Sequence, residues 1–264
     1  MRRFIHSFQF FVLTLAISAP FFLLAAAVPA FGRPESPGAL AVWLGMIWSP
    51  NLAAACLAWR GCEAGLAAFV RRRFHLGFTA PVVGMALAPF LVFIVCWCVV
   101  QFFALTPSAP SGESVALPTW QILTILPALH FIMGPLGEEA GWRGYLLPRL
   151  IETTTPARAA FVVGCAWAVW HLPLWLLEGA PQRMIPIPVF CAHVLCYSIW
   201  MTWLHTRSSG SIVPAIVFHW AVNYGAAVFT IYTGFDAGEV YSFTIPGYVL
   251  LAGVALRALR SEPG

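Results

Sequence analysis

Eight stretches of this chain carry no Asp, Glu, Lys or Arg, and they recur from end to end: 4–32, 36–59, 74–112, 114–137, 159–177, 184–206, 208–235 and 240–256. A helix that crosses a bilayer needs about 20 apolar residues at 1.5 Å rise each. Each stretch therefore holds one span, and the long third stretch also holds the Pro- and Ser-rich loop Thr106–Gly112. The spacing predicts helices at roughly 8–30, 39–59, 80–104, 119–141, 159–178, 185–205, 211–231 and 242–258. The expected fold is all-α, a polytopic transmembrane helical bundle of about eight spans. Composition agrees: only 9% of the 264 residues are charged, against roughly 25% in a soluble domain. No soluble domain and no internal repeat is visible.

The formal charge of +4 does not point to nucleic acid, because the basic residues lie between apolar segments and not along one polar face. Their placement orients the chain instead. With the N-terminus inside, Arg2, Arg3, Arg60, Arg71, Arg72, Arg73, Arg143, Arg149, Arg158, Arg207, Arg257 and Arg260 are inside, and Arg33 and Arg183 are outside. That bias puts both termini in the cytoplasm, in a multi-pass protein of the kind found in a bacterial inner membrane. The segment Arg60–His75, with Leu66, Phe69 and Val70 ahead of three arginines, reads as a short amphipathic helix on the inner leaflet. Arg2-Arg3 and the apolar run that follows also resemble a signal peptide. The 29-residue charge-free run is longer than a signal core and favours a retained helix. The seven cysteines show no paired metal-ligand spacing and read as small apolar residues.

Ionisable residues inside a span cost several kcal/mol unless paired or hydrated, so each is a functional candidate. Three groups stand out. The first is Gly137-Glu138-Glu139-Ala140-Gly141-Trp142-Arg143, read as the cytoplasmic end of the fourth span. Glu139 and Arg143 are i, i+4 and share a helix face. Glu138 lies about 140° from Arg143 around the helix, so it has no local partner and is free to act as a base. The second is Trp167-Ala168-Val169-Trp170-His171, in which the Trp167 indole packs over the His171 ring. The third is His219-Trp220-Ala221-Val222-Asn223, whose His and Asn share a face.

One carboxylate, two imidazoles and an amide on three helices can meet in one water-filled pocket. Such a set can deprotonate water and stabilise an oxyanion. Glu138, His171 and His219 could equally hold a divalent metal such as zinc, although not in the contiguous H-E-x-x-H pattern. His130 and His193 also fall mid-span and read as hydrogen-bonded core histidines, with His130 able to line a cavity mouth. Prolines 135 and 173 flank the proposed site, where kinks help to open a pocket. A haem-binding or proton-carrying protein is a further reading of the mid-span histidines.

The ordered triple E-E-x-x-x-R, aromatic-x-x-x-H, H-x-x-x-N resembles the CPBP family of intramembrane proteases, which includes the type II CAAX prenyl proteases and bacteriocin-linked relatives. The resemblance covers roughly residues 119–228, with Trp167 where many members have phenylalanine. It implies a protease core at 119–228, flanked by N-terminal spans (1–118) and a C-terminal helix and tail (229–264). It implies that Glu138 and His171 activate the water, that His219 and Asn223 form the oxyanion hole, and that Glu139, Arg143 and Trp167 support them. The substrate would be a membrane-associated peptide or protein, cleaved in a cavity open to the cytoplasm. A non-catalytic immunity or partner-binding protein on the same scaffold is the alternative. One geometric demand follows from counting: His171 lies about 18 Å along its span from the inner end, whereas Glu138 lies about 8 Å along its own. Convergence requires the fifth helix to start outside the membrane or to tilt.

Overall fold

The computed structural model describes residues 2–62, 65–108 and 118–261, and these are overwhelmingly helical. Among the described residues thirteen α-helices follow one another: α1 (Arg2–Ala27), α2 (Pro37–Ile47), α3 (Ser49–Leu57), α4 (Leu66–Arg73), α5 (Ala80–Ala86), α6 (Ala88–Phe102), α7 (Thr119–Ile132), α8 (Pro135–Glu139), α9 (Leu147–Ile151), α10 (Pro156–His171), α11 (Ile187–Arg207), α12 (Val213–Thr233) and α13 (Ala237–Ser261). Six helical runs among the described residues are long and apolar enough to cross a membrane, and up to eight if two bent pairs each count as one span. The chain is an integral, multi-pass membrane protein of the expected class. Pro110, Ser111, Gly112 and Glu113 lie outside the described residues, as do Glu63 and Ala64.

The two bent pairs have proline at the bend. The α2–α3 pair turns by 51° at Trp48, two residues before Pro50, and α5–α6 turns by 44° at Leu87, two before Pro89. A proline ring removes one ladder hydrogen bond and clashes with the preceding turn, which is enough to kink a helix. The outer surface carries leucines, isoleucines and aromatics such as Leu23, Leu91, Phe102, Leu123 and Leu250 exposed. An outer surface with so many exposed large apolar side chains suits lipid and not water.

Inside, α11 lies between α10, α12 and α13, and α12 packs on α5, α6, α7 and α8. The helix α1 brings Phe10 into the core, edge-on to Trp142 at 5.5 Å and stacked on Tyr145 at 5.4 Å. In α4, Phe69 is buried against Tyr145, while Leu66 and Val70 are exposed.

The fourth span departs from expectation. It runs to Ile151, not to about residue 141, and is interrupted twice. The α7 helix breaks at Met133-Gly134, α8 restarts at Pro135, and residues Ala140–Leu146 form a π-helical turn before α9. Adjacent carboxylates and an arginine look like a helix end, but Glu138, Glu139 and Arg143 are all buried. Arg143 and Arg149, assigned to an inner loop by sequence, are thus part of the folded interior. Glu138 lies 13 residues before Ile151, about 20 Å along the helix, and His171 stands 15 residues after Pro156, about 22 Å. The depth mismatch between them disappears. The turn before α12 is itself buried, at Ser208, Ser211 and Ile212, so His219 also starts from inside the fold.

Candidate active site

The carboxylates of the Glu-Glu pair divide. Glu139 Oε1 accepts from Arg143 at 3.0 Å and contacts His219 Nδ1 at 2.8 Å. The first bond is the i, i+4 pair expected from helical spacing. The second ties the fourth span to α12 and turns the other ring nitrogen of His219 away from Glu139. Burying a carboxylate is costly unless opposite charge and hydrogen bonds meet it, and Glu139 has both.

Glu138 points the other way, yet it is not without a partner. The Trp167 indole N–H donates to Glu138 Oε2 at 2.7 Å. Helical spacing within one segment could not show this bond, because it comes from α10. Trp167 also lies edge-on to His171 at 5.6 Å and to His219 at 5.2 Å, and the Arg143 guanidinium sits 4.2 Å from its ring centroid. Its carbonyl meets His171 Nδ1 at 2.8 Å. One residue, read from sequence only as a wall for His171, touches four polar members of the site.

Gly134 locates where three of the candidate side chains meet. A Cβ added there would lie 2.9 Å from Asn223 Nδ2, 3.6 Å from His219 Nε2 and 3.8 Å from Glu138 Oε1. Amide, imidazole and carboxylate from two helices therefore face one point, which the absent side chain leaves open. His171 stands behind Trp167, its ring enclosed by Trp170 at 4.7 Å and Phe190 at 5.2 Å. It is held at the last residue of α10, where Pro173 begins to turn the chain into a 3₁₀ segment. An apolar cavity of about 320 Å³ flanks this end of α10, lined by Leu15, Phe22, Leu23, Trp170, Pro173 and Leu176.

The other histidines divide as follows. His193 is fully buried, with Nδ1 on the Val189 carbonyl at 2.9 Å and Nε2 on Thr244 at 3.2 Å, a satisfied core residue. His130 is half-buried near the end of α7 and is not among the groups at Gly134. As for the metal reading, no three His, Cys, Asp or Glu side chains among the described residues are grouped closely enough to hold an ion. Glu138, His171 and His219 are not such a group.

Asn51 was missed by sequence reasoning. Its Nδ2 donates to the Leu136 carbonyl at 2.7 Å and its Oδ1 accepts from the Gly141 amide at 2.9 Å. The available signal was a lone amide within the second span, the kind of residue that in a membrane points to a polar partner.

The fold and site together define a multi-pass helical membrane protein with an acid–imidazole–amide cluster among its spans, its carboxylates and His219 buried and Asn223 half-buried. Residues 119–225 match the family model described as type II CAAX prenyl endopeptidase Rce1-like. The chain is also 32% identical, over 92 residues, to the CAAX prenyl protease 2 of Methanococcus maripaludis, a match covering 33% of this chain and 34% of that one. Over this segment the chain is similar to both, in the region that carries the three motifs, and it spans about a third of the length of the curated relative.

Proposed function

We propose that this protein is an intramembrane endopeptidase that hydrolyses a peptide bond of a membrane-associated substrate. The observation that carries the reading is the meeting of Glu138, His219 and Asn223 at the open face of Gly134. Glu138, held by the Trp167 indole, takes the proton of a water that attacks the scissile carbonyl. His171 is assigned to orient that water because the motif resemblance implies it; its Nδ1 is held by the Trp167 carbonyl, which leaves Nε2 for the role. Asn223 donates its amide N–H to the developing oxyanion. His219 donates beside it from Nε2, while its Nδ1 is turned to Glu139. The proton on Glu138 then passes to the leaving amine, so the same carboxyl group serves first as general base and then as general acid.

The proposed core is 119–228, with 1–118 and 229–264 as flanking helices. Both termini are placed in the cytoplasm of a bacterial inner membrane, with the site reached from that side. Support for the orientation is the arginine distribution, which remains ten against two after Arg143 and Arg149 are set aside as interior residues. The relative's name makes a prenylated CAAX peptide the first substrate to try. The apolar cavity beside Trp170 supports a substrate with a lipid-like portion.

The test uses purified protein in lipid nanodiscs with an internally quenched CAAX peptide, with and without a farnesyl group. Wild type is expected to cleave one or both, and Glu138→Ala to lose at least a hundredfold in kcat. Equal turnover by the two proteins would sink the catalytic assignment and favour the partner-binding alternative. Activity that vanishes with a chelator and returns with zinc would overturn the metal-free route.

A further inference from the structure

The short helix carrying the two glutamates needs support from outside its own segment. Pro135 brings no amide hydrogen, and the change from α8 to a π-helical turn at Ala140 interrupts the regular ladder. Inside a membrane, backbone groups freed in this way must be met by a neighbour. Asn51 meets two of them with one planar amide, a donor on Leu136 and an acceptor for Gly141. Those two residues lie on either side of Glu138 and Glu139 in sequence.

The approach is possible because of the bend in the second span and two glycines. A Cβ on Gly141 would stand 2.6 Å from Pro50 backbone atoms, and one on Gly137 2.8 Å from the Trp48 ring. Trp48 also donates its indole N–H to the Ile132 carbonyl at 3.3 Å, at the break before α8. The kinked α2–α3 span is therefore moulded to the backbone that holds the carboxylates.

We propose that Asn51 is a positioning residue for Glu138, setting the axial height and rotation of the Glu138–Glu139 turn. The proposal rests on the reading of Glu138 as the base. It makes the second span, which lies outside the matched segment 119–225, a working part of the site and not only a lipid-facing scaffold. Asn51 touches no reacting atom and acts through the backbone on either side of the glutamates.

The experiment compares wild type, Asn51→Leu and Asn51→Ser in nanodiscs, with Thr244→Val as a control that breaks a buried polar contact elsewhere. The indole ¹⁵N–¹H resonance of Trp167, assigned by its loss in Trp167→Phe, reports the Glu138 carboxylate without any substrate. Kinetics use the quenched CAAX peptide. Asn51→Leu is expected to move the Trp167 resonance and to lower kcat by about 10- to 100-fold with KM within about twofold, the scale for a displaced catalytic group. Asn51→Ser, which keeps one acceptor for Gly141, should fall between, and Thr244→Val should change neither readout. An unmoved Trp167 resonance in Asn51→Leu overturns the proposal, as does a normal kcat. Failure of Asn51→Ser to fold also overturns it, in favour of a purely stabilising clasp. A wild type that cleaves nothing removes the base assignment, while the resonance still tests the geometry.

Discussion

The indole N–H of Trp167 donates to Glu138 across 2.7 Å, from α10 to α8, so the carboxylate assigned as the base is aimed by a neighbouring span. A hydrogen bond to a charged acceptor in a water-poor site is stronger than one between neutral groups. The indole fixes Oε2 and leaves Oε1 facing the point above Gly134.

Trp167→Phe tests that relationship directly. Phenylalanine keeps a ring beside His171, His219 and Arg143 but has no donor for Glu138. Loss of one hydrogen bond to a charged group is worth about 1.5–3 kcal/mol, so kcat should fall by about 10- to 100-fold. KM should change little, because the substrate contacts are not altered. A variant with wild-type kcat would show that the indole bond is incidental.

A second prediction concerns Arg143, which is fully buried, bound to Glu139 and stacked on Trp167. Removing one partner of a buried ion pair leaves an uncompensated charge and costs about 3–5 kcal/mol. Arg143→Leu is therefore expected to unfold at a markedly lower temperature or fail to accumulate in the membrane. Arg143→Lys keeps the charge but loses the planar group that lies over the indole. It should be intermediate in thermal stability. Equal melting of all three proteins would remove the ion pair from the account of the fold.

How much of this was legible in the sequence follows from what each signal depends on. The spans were readable because bilayer thickness and the exclusion of charge act on every residue of a window. The Glu139–Arg143 pair was readable because both partners sit on one helix at a fixed spacing. The end of the fourth span was misplaced because three charged residues imitate a helix terminus, whereas here all three are buried, Arg143 paired with Glu139 and the two glutamates bonded to His219 and Trp167 of other helices. Trp167 on Glu138 and Asn51 on Leu136 and Gly141 join residues 29 and 85 to 90 positions apart. No local periodicity encodes such contacts. The polar residue type in an apolar window is the trace they leave.

His193 offers the converse test, since it is buried and mid-span like His219 but occupied on both nitrogens by Val189 and Thr244. His193→Phe keeps an aromatic ring among Tyr197, Tyr241 and Tyr248. Interhelical hydrogen bonds in membranes average about 0.6 kcal/mol, so a small loss of stability is expected with kcat within about twofold of wild type. A large loss of activity with normal stability would place His193 in the site after all.

The glycines beside the glutamates give a graded prediction. In a helix, Gly→Ala ordinarily stabilises by about 0.5–1 kcal/mol through backbone entropy. At Gly253, where a Cβ meets nothing within 4 Å, that gain should appear undiminished. At Gly137 the new methyl would meet the Trp48 ring at 2.8 Å and the Ile47 side chain at 3.0 Å, groups that can shift by rotation. At Gly141 it would meet the Pro50 carbonyl carbon and oxygen at 2.6 Å, and backbone at a proline kink cannot turn aside. Overpacking of this kind costs about 1–3 kcal/mol, which exceeds the entropic gain and pushes α3 away from the Asn51 bonds. Unfolding measured in one detergent should therefore rank Gly253→Ala at or above wild type, then Gly137→Ala, with Gly141→Ala lowest. Gly141→Ala should also show the shifted Trp167 indole resonance expected of Asn51→Leu, because both changes loosen the same contact. A Gly141→Ala protein as stable as Gly253→Ala would mean that the second span does not press on the glutamate turn.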